Sequence, residues 1–246
     1  MKAKFIHALT CFILLATSAG SFAAEPWEAE YGRLLGKYVT PAGRVKYSEW
    51  KANAADVAAL QKISDQIGSG SPSDSSRDGR FAFHINAYNA WMLRLVLDAY
   101  PIKSVRDIAP LFGAFTAPRI MLGGKKVSLN HLEKEVLIPE FKDPRAHFAI
   151  NCASTSCPPL LNSPFTAAKL NAQLDGQAKA FANKGAGAVQ VSGTKAQLSK
   201  IFDWYAADFK ASGDVIGFLN KYRTEPIPAG AKLSYFEYDW SLNEAK

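Results

Sequence analysis

The spacing of apolar residues predicts a chain built mainly of helices. In the segment 80–100, apolar side chains recur every three or four residues, which is typical of a helix that packs on a core. Pro101 follows this segment and sets the end of the predicted helix. Similar spacing predicts further helices over 27–66, with a turn at 40–43, over 166–183, and from Ser199 and Asp214 onward.

Short stretches with strand patterns lie between these helices. The predicted strands are 120–122 and 125–127 around two glycines, 189–191 and 196–198 around Gly193, a buried strand at 146–152, and an edge strand at 233–238. Helices and short strands follow each other without a regular β-α-β order. We therefore expect an α+β fold, with several helices around a small, mainly antiparallel sheet.

Two polar features shape the predicted organisation. The loop at 68–76 is rich in turn-forming residues, but what precedes it is small for an independent core, so we treat residues 24–246 as a single globular domain. Asn130 lies three residues before Glu133, which is the spacing of a capping box. This spacing predicts a helix that starts there and runs to about Ile138.

The N-terminus has the features of an export signal. Lys2 and Lys4 precede an apolar stretch, and small residues at Ser21 and Ala23 suit cleavage after residue 23. The apolar stretch is shorter than the roughly 20 residues that a membrane-spanning helix needs. We therefore predict that 1–23 is a cleaved signal peptide, and that the mature chain is periplasmic or secreted and not an integral membrane protein.

Composition narrows the classes of partner. The formal net charge is +7, but the lysines are scattered and no nucleic-acid-binding module is present, so we expect no nucleic acid partner. Hydrophobic residues make up 48% of the chain, which is enough for a core. No cofactor motif is present, and we expect no cofactor. The sequence identifies neither a partner nor an oligomeric state.

The polar segment from His147 to Cys157 is the strongest candidate for chemistry. A thiolate is the nucleophilic form of cysteine, and a neighbouring imidazole can act as its base. On a strand, His147 and Cys152 face opposite sides, whereas Cys157 lies beyond the strand in a loop held by prolines. We therefore predict Cys157 as nucleophile, His147 as base and Glu133 as the carboxylate that orients the imidazole.

Two other roles compete for the cysteines. In an oxidising compartment, Cys152 and Cys157 could form a disulfide, since Cys11 is removed with the signal. A zinc site with His131 or His147 is a further alternative, but no paired C-x-x-C spacing supports it, and we expect no metal.

Two asparagines and one aspartate complete the candidate residues. Asn86 and Asn89 are three residues apart and share a helix face. Buried amides must be hydrogen-bonded, so we favour a role in holding a loop over one in presenting an amide to a substrate. Asp208, in a later aromatic segment, could pair with a cation.

Several motifs together resemble domain-of-unknown-function family 547. They are the segment from Phe83 to Ala90, Leu132-Glu133 before Leu137, the stretch from His147 to Pro158, the stretch from Leu198 to Phe209, and the closing stretch from Tyr238 to Asn243. The resemblance implies no established activity. It implies a loose similarity to papain- and transglutaminase-like folds, with a Cys–His–carboxylate site that would map to Cys157 or Cys152, His147 and Glu133.

Two functional hypotheses follow from these residues. The first is a thiol hydrolase or acyl transferase acting on an amide or ester, in which an Asn amide or backbone N–H groups near Ser156 stabilise the oxyanion. The second is a non-catalytic binding or structural protein, with Cys152 and Cys157 bridged or buried.

Overall fold

The α+β class expected from the sequence is confirmed. A computed structural model describes residues 25–245, and the predicted signal at 1–23 lies outside the described residues. Within that range the helices are α1 (Glu28–Tyr38), α2 (Tyr47–Ala52), α3 (Ala54–Ser69), α4 (Arg77–Ala99), α5 (Gly113–Thr116), α6 (Leu129–His131), α7 (Ile138–Phe141), α8 (Ala146–Ala149), α9 (Leu170–Ala182), α10 (Ile201–Trp204) and α11 (Val215–Tyr222). Short 3-10 helices span Val105–Ile108, Ala167–Lys169 and Ala206–Ser212, and a π-helix spans Leu132–Leu137.

The long helix α4 is the centre of the larger core. It begins three residues before the predicted start, because the side chain of Ser76 accepts a hydrogen bond from the Gly79 amide and caps the helix. Residues 81–97 are buried apart from His84 and Arg94, which are half-buried. A helix that is buried nearly all round lies inside a protein rather than on its surface. Side chains of α4 can therefore support loops on several sides.

Two small sheets complete the fold. Strands β1 (Ile120–Leu122) and β2 (Lys125–Val127) form an antiparallel hairpin. Gly123 and Gly124 make its turn with positive φ angles of 56° and 75°, as the sequence predicts. Strands β3 (Val189–Ser192) and β4 (Lys195–Leu198) form the second predicted hairpin, and β5 (Lys232–Tyr235) pairs parallel to β4 at the edge.

The buried apolar residues form two clusters that meet at α8. The larger cluster is built on α1 to α4, and the smaller cluster contains the stacked and tilted rings of Phe148, Phe181, Phe202, Phe209 and Phe218. Phe148 belongs to the smaller cluster, whereas Ala149 and Ile150 next to it belong to the larger one. The segment that carries both cysteines therefore starts at the junction of the two cores.

The predicted strand at 146–152 is wrong. Residues 146–149 form the one-turn helix α8, and the chain becomes extended only at Ile150. The Asp143 side chain accepts a hydrogen bond from the Arg145 amide, and the Asp143 carbonyl accepts one from the Ala146 amide, which starts a helical turn. The alternation that separated His147 from Cys152 therefore does not apply.

The predicted capping box at Asn130 and Glu133 is also wrong. The cap is Ser128, whose hydroxyl accepts a hydrogen bond from the His131 amide. Glu133 lies inside the π-helix and is buried. Because a π-turn widens the helix by one residue, it is often found where a side chain must be directed into a functional site.

Candidate functional site

A cavity of about 560 Å³ takes its walls from both cores. It brings together the four residues that the sequence places in or beside a thiol site, namely Glu133, His147, Cys152 and Cys157. The other lining residues are Tyr88, Leu111, Phe112, Phe115, Thr116, Asn130, Lys134, Ile150, Pro158, Ile201, Trp204, Tyr205, Tyr238 and Trp240. A volume of this size fits a small molecule or one group of a larger substrate.

A strained turn places Cys152 at the cavity wall. Ala153 has a φ angle of 60°, a left-handed conformation that a residue other than glycine rarely adopts. Its amide donates a hydrogen bond of 2.9 Å to Oδ1 of Asn151, which helps to hold the turn. Such a conformation costs on the order of 1–3 kcal/mol and persists only where its surroundings enforce it.

The Cys152 sulfur lies among hydroxyl groups. It is 3.0 Å from Oγ of Ser154 and 3.2 Å from the Tyr238 hydroxyl, and these two hydroxyls are 3.1 Å apart. Burial alone would raise the pKa of the Cys152 thiol, but hydrogen bonds with Cys157, Ser154 and Tyr238 outweigh it and lower the pKa to about 7. Since the side chain is partly exposed, this thiol combines access with thiolate character.

Cys157 has the opposite environment. It is buried, and its sulfur accepts a hydrogen bond of 2.9 Å from the Cys152 amide. Burial, together with the hydrogen bond and charge of Cys152, raises the pKa of Cys157 above its ordinary value. Both cysteines are free thiols, so the disulfide that the sequence left open is not found.

The imidazole of His147 is fixed by an aspartate. Its Nε2 lies 2.7 Å from Oδ2 of Asp208, and its ring packs on Tyr205 with the centroids 4.1 Å apart. Because a carboxylate only accepts hydrogen bonds, Nε2 carries the proton and Nδ1 is the nitrogen that can take another. Within residues 25–245, no hydrogen bond joins either cysteine sulfur to the imidazole.

Glu133 lies in the same cavity but does not bond the imidazole. Burial raises the pKa of the Tyr205 hydroxyl, and the charge of Glu133 and a hydrogen bond to it raise that pKa further. The carboxylate that the sequence assigned to His147 is thus directed at Tyr205, and Asp208 takes its place. Asp208 is 61 residues from His147 along the chain, and no local motif marks it as the partner.

The two asparagines on α4 hold loops. Asn89 donates to the carbonyl of Ala149 and accepts from the amide of Asn151, so one side-chain amide clamps the backbone just before Cys152. Asn86 makes the same pair of bonds with the amide and carbonyl of Phe165. Both asparagines therefore have the loop-holding role that the sequence favours.

The predicted oxyanion donors are already engaged. Besides the two asparagines, the Ser156 amide donates to the carbonyl of Asp239 at 3.2 Å. The hydroxyl of Tyr88 differs, because its side chain lines the cavity, is only 2% exposed, and has no hydrogen-bond partner within the described part of the chain. Burial raises the pKa of Tyr88, with further contributions from Glu133 and the cysteines, so the hydroxyl keeps its proton at neutral pH.

Residues 25–245 contain neither a cluster of metal-ligating side chains nor a membrane-spanning helix. Among residues 25–245, no group of three or more histidine, cysteine or acidic side chains is arranged to hold a metal ion. In the same range, every helix is too short or too polar to cross a bilayer.

Comparison with known proteins finds a family but no characterised relative. No curated protein and no solved structure matches the chain. Residues 72–182 match a family model described as "Protein of unknown function, DUF547". The matched segment runs from the loop before α4 to the end of α9, and so includes His147 and both cysteines. This match supports, over residues 72–182, the resemblance to domain-of-unknown-function family 547 that the sequence motifs indicate.

Proposed function

We propose that the protein is a cysteine-dependent hydrolase or acyl transferase that acts on an amide or ester. In this proposal, Cys152 is the nucleophile, His147 is its base, and Asp208 positions the imidazole. The observation that carries the proposal is one cavity lined by a partly exposed cysteine and by a buried histidine, whose Nε2 is hydrogen-bonded to the half-buried Asp208. A nucleophile, a base and a group that orients the base are the three parts that covalent acyl transfer requires.

The local environments favour Cys152 over Cys157 as nucleophile. Both sulfurs line the cavity, but Cys157 is buried and its thiol has a raised pKa. The Cys157 sulfur also accepts the Cys152 amide, which fixes the backbone on which the reactive thiol is carried. Cys157 is therefore assigned a supporting role.

The proposed reaction proceeds in two stages. The Cys152 proton moves to Nδ1 of His147, and the sulfur attacks the substrate carbonyl carbon, forming a C–S bond. The C–N or C–O bond then breaks, the leaving group takes the proton from His147, and a thioester remains. Water or a second nucleophile, deprotonated by the same nitrogen, cleaves the thioester and returns the thiol.

Tyr88 supplies a donor for the charge that develops on the substrate oxygen. Its side chain lines the cavity, and its hydroxyl has no other hydrogen-bond partner within residues 25–245. A neutral hydroxyl in a buried site stabilises an oxyanion more strongly than it would in water. The donor that the sequence placed near Ser156 is replaced by this tyrosine in the proposal.

Alkylation of the folded protein tests the proposed nucleophile. We expect iodoacetamide to label Cys152 before Cys157, with a rate that rises through a midpoint near pH 7, because the lowered pKa makes the thiolate available there. An unperturbed thiol would show a midpoint at about 8.5. The measurement is the labelling rate of each cysteine by mass spectrometry over about five pH units, from about pH 5 to about pH 10.

Two serine variants provide the control. C152S should abolish the fast labelling, whereas C157S should retain it, since a serine hydroxyl can still accept the Cys152 amide. Faster labelling of Cys157, or a Cys152 midpoint at or above that of a free thiol, would overturn the assignment.

A further inference from the structure

Exposed apolar side chains gather at the mouth of the cavity. Within residues 25–245, the large apolar side chains that are exposed are Leu111 (92%), Phe112 (39%), Trp204 (48%) and Leu233 (39%). All of them except Leu233 line the cavity. Single exposed apolar residues are ordinary, but a group of them around one opening marks a surface that an apolar ligand covers.

The loop at the mouth is held in an unusual conformation. Leu111 and Phe112 both have positive φ angles, 53° and 56°, although neither is glycine. The Arg106 guanidinium lies 5.0 Å from the centre of the Phe112 ring, and the Gly113 amide donates to the Pro110 carbonyl. These contacts hold the two apolar side chains at the opening, in a left-handed backbone conformation that is unfavourable for residues other than glycine.

A continuous row of rings runs from the sulfur to this mouth. We call Phe112, Phe115, Trp204, Tyr238 and Trp240 the aromatic wall. The Tyr238 hydroxyl is 3.2 Å from the Cys152 sulfur, and its ring lies 4.6 Å from that of Trp240 and 4.9 Å from that of Trp204. Phe112 and Phe115 pack on Trp240 at 5.2 and 6.3 Å. A group attached to the sulfur would therefore lie along this wall.

The ring planes indicate which shape of group the wall fits. Most neighbouring rings of the wall meet steeply, at 66° for Phe112 and Trp240, 61° for Phe115 and Trp240, 51° for Tyr238 and Trp240, and 47° for Trp204 and Tyr238. Trp204 and Trp240 are closer to parallel, at 24°. Steep angles give a creased surface, whereas a sugar ring or a nucleobase stacks on a flat one. A flexible alkyl chain can follow such a crease and bury its surface on several rings.

Several polar groups of the cavity interact with one another. Glu133 and Tyr205 are close enough to interact, the charges of Glu133 and the cysteines act on Tyr88, and His147 packs on Tyr205. The cavity therefore combines a set of polar side chains, beside which a carbonyl would react, with the aromatic wall that reaches the mouth.

We propose that the substrate of this site carries an alkyl acyl group, which lies on the aromatic wall with its far end at Leu111. The proposal rests on the proposed function, since the carbonyl carbon of that group is the atom bonded by Cys152. In the acylation step the new bond joins the sulfur to this carbon, and the leaving alcohol or amine departs with the proton from His147.

Binding to a variant that cannot react separates the two proposals. The C152A protein is titrated by calorimetry with N-octanoylglycinamide and with N-acetylglycinamide, which differ only in chain length. Each buried methylene stabilises binding by about 0.8 kcal/mol, or roughly fourfold in affinity. We expect the octanoyl compound to bind at least about 100-fold more tightly. Equal affinities for the two compounds would overturn the alkyl-chain proposal.

Substitutions at the mouth locate the bound chain. In the C152A background, L111A and W204A should each weaken octanoyl binding by about three- to tenfold, because each side chain contributes part of the buried contact. L233A is the matched control, since Leu233 is exposed to the same extent as Phe112 but lies outside the cavity. An L233A effect as large as that of L111A would count against the proposal.

Ester acylation of the unaltered protein then tests the chemistry. p-Nitrophenyl octanoate should acylate Cys152 faster than p-nitrophenyl acetate, as followed by the release of p-nitrophenol and the mass of the labelled peptide. Acylation of Cys152 without a chain-length preference overturns the alkyl-chain proposal and supports the thiol enzyme. Octanoyl binding with no acylation by either ester supports the apolar site and overturns the thiol enzyme.

Discussion

At the scale of single residues, the two cysteines show how position alone changes thiol chemistry. Cys152 receives hydroxyl contacts from Ser154 and Tyr238, which stabilise negative charge on its sulfur. Cys157 lies five residues away in a buried position with a raised pKa. Two sulfurs of the same loop thus have pKa values shifted in opposite directions.

The partner of the imidazole gives the first prediction at this scale. D208N should lower the rate at which esters acylate Cys152 by about 10²- to 10⁴-fold, which is the usual contribution of a positioned general base. The asparagine side chain can donate to Nε2, and this would leave the proton on Nδ1, where the thiol proton must go. The measurement is single-turnover acylation by p-nitrophenyl esters.

A second reagent separates positioning from folding in the D208N variant. Alkylation by iodoacetamide at about pH 9, where the thiolate forms without a base, should be unchanged. D203N is the matched control, because Asp203 lies on the neighbouring helix α10 and pairs with Lys200 instead of His147. A loss of acylation in D203N similar to that in D208N would contradict the role given to Asp208.

At the scale of elements, α4 acts as a support for two separate loops. Its asparagines at 86 and 89 make equivalent pairs of backbone bonds, one pair at Phe165 and the other just before Cys152. This equivalence allows the loop that carries the thiol to be perturbed while a matched loop serves as the control.

We predict that N89A and N86A lower the free energy of unfolding by similar amounts, about 2–5 kcal/mol, because each leaves a buried amide and a buried carbonyl without a partner. Only N89A should also raise the alkylation midpoint of Cys152, since only Asn89 holds the turn that precedes it. Urea denaturation and the pH dependence of labelling measure the two effects. A shifted midpoint in N86A alone would show that the clamp at Asn89 does not set the thiol environment.

Elements with long periodic patterns could be predicted from the sequence, and one-turn elements could not. The repeat of apolar residues over 80–100 predicts α4 to within three residues at its start. A long buried helix repeats its apolar spacing over many turns, and this repetition makes it recognisable in the sequence. The one-turn helix α8 is too short to show a helical period, so the apolar residues of 146–152 have the pattern of a buried strand. The predicted strand also placed His147 and Cys152 on opposite faces and so favoured Cys157 as nucleophile, whereas the proposed function gives that role to Cys152.

The site itself could be predicted only in part, for a reason of distance along the chain. His147 and the two cysteines lie within eleven positions and form a visible motif. Asp208 lies 61 residues from His147, and Tyr238 lies 86 residues from Cys152. No local pattern marks a contact across such a separation. The sequence therefore indicates the segment that carries the proposed nucleophile and base, but not the later segments that contact them.

At the scale of the whole molecule, one buried carboxylate joins two helices of the larger core. Asp56 at the start of α3 is 5% exposed and bonds Arg33, Lys37 and Tyr38 of α1 at 2.5, 2.7 and 2.6 Å. The hydrogen bonds with Arg33, Lys37 and Tyr38 hold the pKa of Asp56 well below its ordinary value. The folded state thus keeps this charge under conditions where the unfolded chain takes up a proton.

This linkage gives a prediction for acid stability. Stability from Asp56 is fully present above its unfolded pKa of about 3.9 and is lost as the pH falls towards its folded pKa. D56N should therefore be less stable than the unaltered protein at pH 7, and the difference should shrink below about pH 4. D65N is the control, because Asp65 pairs with Arg94 at the surface. A D56N deficit that stays constant with pH would contradict this account.

The family match and the site have different extents along the chain. The matched segment ends at residue 182, whereas the aspartate on His147 and the tyrosine on Cys152 come later, at 208 and 238. The segment after residue 238 also bonds the cysteine loop through its backbone, from Asp239 to Ser156, from Ser241 to Thr155 and from Asn243 to Ala153. The matched segment alone therefore contains Ser154 and Cys157 but lacks Tyr238, the third group that lowers the pKa of Cys152.

The contact between Cys152 and Tyr238 has a consequence for the order of events during synthesis. A chain made from its N-terminus contains the cysteine 86 residues before it contains the tyrosine. Until the later segment has docked, the sulfur lacks that hydroxyl, which is one of the three side chains whose hydrogen bonds lower its pKa. If Cys152 is the nucleophile, as in the proposed function, its thiolate character is therefore completed only when the C-terminal segment docks, late in folding.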